Sequence, residues 1–193
     1  MIEHEGIVRL DEKITNLLYS MRSDWLSKTF YVVTQLGSRE AVFIGGAACT
    51  GLLLKQKKYL AILAFWVTMA GVGLSVQEGK KYISRERPEG VAYYVERNHS
   101  FPSGHATTAM ALYGLVVYLL FRYNAKARKH YKLLVAGGVL VILAVGASRI
   151  YLGVHFLSDV LAGYLLGALW MLLGISIVET ISQHRQSRSI KDI

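Results

Sequence analysis

The sequence predicts an all-α, membrane-embedded helical bundle, and three observations carry that expectation. Hydrophobic residues make up 53% of the 193 residues and mean hydropathy is +0.34. That hydrophobicity lies in long continuous runs rather than in period-2 alternation, and only two prolines are present, which leaves little room for a loop-rich β protein. The positive charge, 22 Lys plus Arg against 13 Asp plus Glu for a net +9, falls mainly between the apolar runs. A nucleic-acid binder would instead spread it over a soluble folded face. The apolar content excludes disorder. The single Cys49 can form neither an internal disulfide nor a thiolate metal site. The length fits one domain over 1–193, with a segment 1–40, a helical core 41–178 and a tail 179–193.

The first five residues have neither a basic region nor an apolar one, so no signal peptide is expected. Leu10, Ile14, Leu17, Leu18 and Met21 share one helical face, opposite Asp11, Glu12, Thr15 and Asn16. This pattern predicts a helix lying in the outer membrane interface, anchored further by Trp25 and Tyr31. Five spans are expected next: Ala41–Leu54, which is short and rich in small residues, then Tyr59–Val76, Thr107–Phe121, Leu133–Ala147 and Val160–Val178. Each approaches the roughly 20 residues that cross a bilayer. Gly163 and Gly167 form a G-x-x-x-G in the last span, read as close packing inside one bundle in preference to a dimer seam; the oligomeric state stays open.

Loop charge sets the orientation. Lys55, Lys57 and Lys58, then Arg122, Lys126, Arg128, Lys129 and Lys132, then Arg185, Arg188 and Lys191 all fall on one side when five spans alternate. That side is expected to be cytoplasmic. The opposite, extracytoplasmic side carries residues 1–40 and three polar clusters: Lys80 to Pro88, Phe101 to His105, and Ser148 to Asp159.

Topology alone therefore places the three clusters at one depth, and their chemistry is complementary. Pro102-Ser103-Gly104 before an apolar run predicts a helix N-terminus with Ser103 as cap, a ready anion site. Lys80, Arg87 and Arg149 could converge on one anion, the guanidinium forks matching phosphate oxygens. His155 and Asp159, four apart, share a helical face, so the carboxylate can fix one imidazole nitrogen and aim the other outward as nucleophile or base. His105 supplies a second imidazole suited to a general acid. A cationic clamp, an oriented nucleophile and an acid are the parts phosphoryl transfer needs without a metal. Lys81 and Arg85 are expected to extend to lipid headgroups, and His99 and His130 to be solvated loop residues.

Lys80, six residues, then Arg87-Pro88; Pro102-Ser103-Gly104-His105; and Ser148-Arg149, five residues, His155, three residues, Asp159 together resemble the three-part signature of the type 2 phosphatidic acid phosphatase superfamily. Ser100-Phe101 and Ile150 to His155 resemble its bacterial membrane branch, of the phosphatidylglycerophosphatase type. The resemblance runs from about Ala41 to Val178. It implies that His155 is a nucleophile forming a phosphohistidine, that Asp159 orients it, and that His105 is the acid and then the base for water. Lys80, Arg87, Ser103, Gly104 and Arg149 would hold the phosphate, with no metal and no cofactor. The implied substrate is a membrane lipid phosphate, with phosphatidylglycerol phosphate first, undecaprenyl pyrophosphate second and phosphatidic acid third. Bacterial members of this kind usually have six spans, where five are expected here. Two rival classes remain. A non-catalytic lipid-binding or transport relative would be expected to lose His105, His155 or Asp159. A vanadate-dependent haloperoxidase would be a larger soluble protein.

Overall fold

The computed structural model describes the backbone of residues 2–191 and the side chains of residues 5–180. Its elements in chain order are α1 (Ile2–Ser20), α2 (Asp24–Thr34), a 3₁₀ turn (Gln35–Gly37), α3 (Arg39–Lys55), α4 (Tyr59–Ile83), α5 (Gly104–Tyr123), α6 (Ala125–Lys129), α7 (Tyr131–Tyr151) and α8 (Leu157–Lys191). No strand occurs among the described residues, and the all-α bundle expected from composition is the architecture observed.

Four helices are long and apolar enough to cross a membrane: α4, α5, α7 and the Leu157–Thr180 part of α8. The remaining expected span is α3, whose 17 residues give about 26 Å at the α-helical rise and so make it shorter than the others. Its N-terminal end lies beside the site, where Gly37 backs His105. At its far end Gln56 shares a small pocket with Tyr123 and Asn124. That far end also holds the basic loops: Lys58 lies 5.3 Å from the Tyr123 ring, and Arg122 pairs with Glu179 at 3.2 Å. Arg185, Arg188 and Lys191 of the expected cytoplasmic tail have side chains outside the described residues.

Helix α5 is the centre of the bundle. Ala106, Ala109, Ala111, Leu112, Leu115 and Leu119 are all buried, against α4, α7 and above all α8. The small residues of α8 allow that approach: a Cβ on Gly163 would stand 2.7 Å from the Ser103 carbonyl oxygen, and one on Gly167 2.5 Å from that of Thr107. The G-x-x-x-G therefore closes the bundle on itself. Phe43, Ile44, Leu140, Leu161 and Leu165 point outward, the lipid-facing surface of a membrane bundle.

The N-terminal segment corrects the sequence reading. Residues 1–40 hold a second helix, α2, that the pattern did not reveal. In α1 the face turned to the protein is Asp11, Ile14, Thr15 and Leu18, while Leu10, Leu17 and Met21 stay exposed. Asp11 and Thr15, expected on the polar outer side, are buried. The reason is the solvent: where lipid bathes the outside, an apolar face can turn outward, and polar groups are stabilised by the protein.

Candidate active site

Three chain reversals at one end of the bundle bring the clusters together. Helix α7 ends in a Schellman motif: Val154 N–H donates to the Arg149 carbonyl (3.2 Å) and Gly153 N–H to that of Ile150 (2.9 Å), with Gly153 at φ +67°. A residue with a Cβ would be strained there and would meet the Val91 carbonyl. This turn folds the chain back so that His155 N–H reaches the Arg149 carbonyl (3.3 Å). Helix α8 then starts, and Asp159 in its first turn accepts from the Phe156 N–H at 2.8 Å, the reciprocal half of a capping box. Helix α5 starts opposite, pinned to α8 where Ser103 N–H donates to the Asp159 carbonyl at 3.0 Å. The loop from α4 to α5 closes over both, with Ser100 N–H on the Arg85 carbonyl (2.8 Å) and Tyr93 N–H on that of Leu152 (2.9 Å).

His155 and Asp159 are both fully buried. His155 Nδ1 faces Asp159 Oδ2 at 3.5 Å and Ser100 Oγ at 3.3 Å, and the Ser100 hydroxyl donates to the same Oδ2. The opposite nitrogen, Nε2, lies 3.2 Å from Arg87 Nη1. With Nδ1 carrying the proton toward Ser100 and Asp159, Nε2 holds a lone pair that points at the guanidinium. Burial pushes the imidazole from its ordinary 6.5 down to about 3; the Asp159 hydrogen bond opposes this, and the charges of Arg149 and Arg87 reinforce it. That direction favours the neutral imidazole at pH 7, the form in which Nε2 carries a free lone pair.

The cations surround that lone pair. Arg87 is held by the carbonyls of Asn98 (2.7 Å) and Val154 (2.5 Å). Lys80 donates to the His99 carbonyl, which Arg87 Nη2 also approaches at 3.3 Å, so the two cations sit side by side. Arg149 is wholly buried and donates from Nη1 to Thr34 Oγ1 (3.0 Å) and to the Tyr94 hydroxyl. One carboxylate lies among them: Glu96 accepts from Arg149 Nη2 and, at 2.8 Å, from Arg87 Nη2. Burial raises the Glu96 carboxyl, but Arg149 and then Arg87 outweigh it and bring it from 4.5 down to about 2. Two buried polar atoms in this region have no partner among the described residues, Arg149 Nε and Ser103 Oγ. Ser103 stands at the N-cap position of α5 as expected, yet its side chain makes no capping bond. The expected cap is thus corrected: the hydroxyl is left free at a helix N-terminus, beside Gly104 and the first-turn amides of α5.

His105, on the first turn of α5, is within electrostatic reach of Arg149, Glu96, His155 and Arg87, and its ring makes no hydrogen bond among the described residues. All eight residues singled out in the sequence thus gather at one end of the bundle. Arg85 departs from expectation: it is not extended to headgroups but pairs with Asp159 (2.7 Å) and Asp11 (2.8 Å). Lys81 does stay exposed, paired with Glu78 at 2.7 Å. Sequence reasoning missed Tyr94, Glu96, Ser100 as a hydrogen-bond partner, Thr34 and Asp11. Ser100 could have been found from its place two residues before Pro102; Tyr94 and Glu96 lie in an irregular loop that carries no periodic signal.

Comparison with known proteins matches this geometry to a family. The PAP2 superfamily model matches residues 59–183. Phosphatidylglycerophosphatase B of Bacillus subtilis (strain 168) is 33% identical over 190 residues, covering 96% of this chain and 91% of that protein. Undecaprenyl-diphosphatase of Sulfolobus acidocaldarius is 32% identical over 149 residues, covering 74% of this chain and 66% of that protein. The crystal structure of a transmembrane PAP2 type phosphatidylglycerolphosphate phosphatase from Bacillus subtilis superposes with a TM-score of 0.83 at 31% identity, covering 91% of this chain and 88% of that one. With a signature-matching cluster at the end of a membrane bundle and relatives that hydrolyse phosphate esters of lipids, this chain belongs to the PAP2 superfamily and is a membrane-embedded lipid phosphatase.

Proposed function

We propose that the chain removes a terminal phosphate from a membrane lipid through a phosphohistidine on His155, with phosphatidylglycerol phosphate as the substrate. His155 Nε2 attacks phosphorus, the bond from phosphorus to the leaving oxygen breaks, and His105, protonated once the anionic phosphate lies beside it, gives that oxygen its proton. Water then attacks the phosphohistidine while His105 takes a proton from it; the phosphorus–nitrogen bond breaks and inorganic phosphate leaves. Asp159, directly and through Ser100, keeps the Nδ1 proton in place and stabilises the charge that develops on the imidazole. Lys80, Arg87, Arg149, Ser103 and the amides at Gly104 hold the phosphoryl oxygens, whose growing charge they neutralise. The observation that carries this reading is the contact of His155 Nε2 with Arg87 at 3.2 Å, in a cradle where Arg149 Nε and Ser103 Oγ have no partner among the described residues.

A further feature favours lipids bearing a second anionic group. Beside the cradle lies a cavity of about 510 Å³ lined by Arg39, Lys80, Lys81 and Arg97 among others. Phosphatidylglycerol phosphate carries its second phosphate on the lipid side of the scissile one, and undecaprenyl pyrophosphate likewise; phosphatidic acid has none. The relative in Bacillus subtilis favours the first, and undecaprenyl pyrophosphate is the second reading because of the relative in Sulfolobus acidocaldarius. The cationic loops at the opposite end of the bundle support an extracytoplasmic site. Phosphate release from the three purified lipids in detergent tests this. The expected order is phosphatidylglycerol phosphate, then undecaprenyl pyrophosphate, then phosphatidic acid, and the absence of release from all three would leave a lipid-binding protein.

A further inference from the structure

Helix α1 lies outside the matched residues 59–183, and no role assigned above involves it. Yet its Asp11 is 2% exposed, an unusual place for a carboxylate, and it is fully engaged. Oδ1 accepts the Ser158 N–H at 3.0 Å, while Oδ2 accepts the Ser158 hydroxyl at 2.5 Å and Arg85 Nη2 at 2.8 Å. The other nitrogen of the same fork, Arg85 Nη1, donates to Asp159 Oδ1 and to Ser158 Oγ, each at 2.7 Å. The guanidinium lies over the Phe156 ring at 4.3 Å, which fixes its plane. A continuous path therefore runs Asp11–Arg85–Asp159–His155.

We propose that Asp11 and Arg85 are positioning residues for the Asp159–His155 pair, so that α1 is part of the catalytic unit. Two physical points support it. Asp159 Oδ2 is held by Ser100 and Phe156 N–H, but a carboxylate gripped at one oxygen can still turn about its Cβ–Cγ bond. Among the described residues Arg85 is the side chain that donates to Oδ1, and it removes that freedom. Second, α8 begins without a side-chain cap of its own, because Phe156 precedes its first turn. Asp11 takes the Ser158 N–H instead, capping α8 from another helix. One carboxylate thus sets both the start of the helix that carries Asp159 and the arginine that orients it. Ile14 and Leu18 seat α1 against Ala106, Ile150 and Val160, which keeps Asp11 in register.

The proposal rests on His155 being the nucleophile, and the test separates the two. Wild type, His155→Ala, Asp11→Asn, Arg85→Gln and Arg85→Lys are purified in detergent and compared for kcat, KM and thermal midpoint. Lys80, Arg87 and Arg149 are untouched in the Asp11 and Arg85 variants, so KM should stay within about twofold while kcat falls about 10- to 100-fold, the scale of a small misplacement of a reacting group. Asp11→Asn combined with Arg85→Lys should lose little more than the worse single variant, because both interrupt one path. Where Asp11→Asn or Arg85→Gln does not fold, Arg85→Lys decides: it keeps the charge but cannot span both carboxylates in a plane. Wild-type activity in His155→Ala would overturn the proposed site itself. An inactive His155→Ala beside a folded Arg85→Lys with wild-type kcat, or with only KM raised, would overturn the positioning role alone.

Discussion

Glu96 lies against Arg149 where a phosphate group would be expected. Its Oε1 accepts from Arg149 Nη2 and its Oε2 from Arg87 at 2.8 Å, so one planar carboxylate bridges two of the proposed phosphate-binding guanidiniums. A carboxylate offers two acceptor oxygens and one charge; a phosphate monoester offers three and nearly two. A phosphate held by these guanidiniums would compete with Glu96 for the same donors.

Glu96→Gln should therefore tighten inhibition by inorganic phosphate or vanadate by about tenfold, the worth of one charge-assisted hydrogen bond. The variant should melt lower than wild type without anion, because two buried guanidiniums lose their counter-charge, and should gain more in melting temperature when vanadate is added. Unchanged or weaker inhibition would show that Glu96 helps to hold the phosphate instead of competing with it.

Stability should fall as pH drops below about 6.5. The unfolded chain protonates His155 near 6.5, whereas burial keeps the folded imidazole neutral down to about 3. The unfolded state thus binds the extra proton, and the stability present above pH 6.5 is lost progressively toward pH 3. Glu96 adds to this lower down, ionised in the fold to about 2 but protonating near 4.5 once unfolded. Thermal midpoints of His155→Gln, which has no titrating ring, should decline less between pH 6.5 and 5 than those of wild type. Parallel curves would sink this account.

Hydrolysis should persist in EDTA and be inhibited by vanadate or tungstate. In the proposed mechanism Lys80, Arg87 and Arg149 supply the positive charge that a metal ion supplies elsewhere, and tungstate or vanadate match the shape of the phosphoryl group. Activity lost on chelation and restored by Mg²⁺ would reject this mechanism.

How legible these parts were in the sequence differs by residue. His155 and Asp159 could be paired because they stand four apart at a helix start, and Arg149 lies six before His155 across a turn that Gly153 marks. Asp11 could not be placed. A helical wheel separates its face from that of Leu10 and Leu17, but which face meets protein depends on whether water or lipid lies outside, and the bilayer reverses the soluble rule. Arg85 was indistinguishable from any cation at a span end, since its partners are 74 residues away in sequence on either side. Glu96 and Tyr94 sit in irregular backbone fixed by tertiary hydrogen bonds, where periodicity has nothing to report.

A water-soluble thiol reagent outside cells should label a cysteine at Val95 and not one at Ala127. Val95 is 89% exposed in the loop over the site, while Ala127 lies in α6 at the basic end. Native Cys49 is buried and should give little background. The reverse pattern would put the site in the cytoplasm and invert the charge argument.

The two histidines should divide the labour in a way that leaving groups expose. His155→Ala should abolish turnover and any trapped phosphoenzyme, since it removes the Nε2 lone pair that faces Arg87. Asp159→Asn should preserve the fold and leave the imidazole in the wrong tautomer, a change worth roughly 10⁴ where a triad aspartate is so altered. His105→Ala should slow hydrolysis of a lipid alkyl phosphate by about 10²–10⁴, the usual contribution of general acid catalysis. An aryl phosphate with an activated leaving group needs no proton as its bond breaks, so the same variant should recover much of that loss. The assignment is motivated by the ring of His105 on the first turn of α5, which, like the nearby Ser103 hydroxyl, has no hydrogen-bond partner among the described residues. Rates of His105→Ala against wild type on the two substrates give the answer. An equal loss on both would mean that His105 binds phosphate or sets the helix, and that the proton comes from another group.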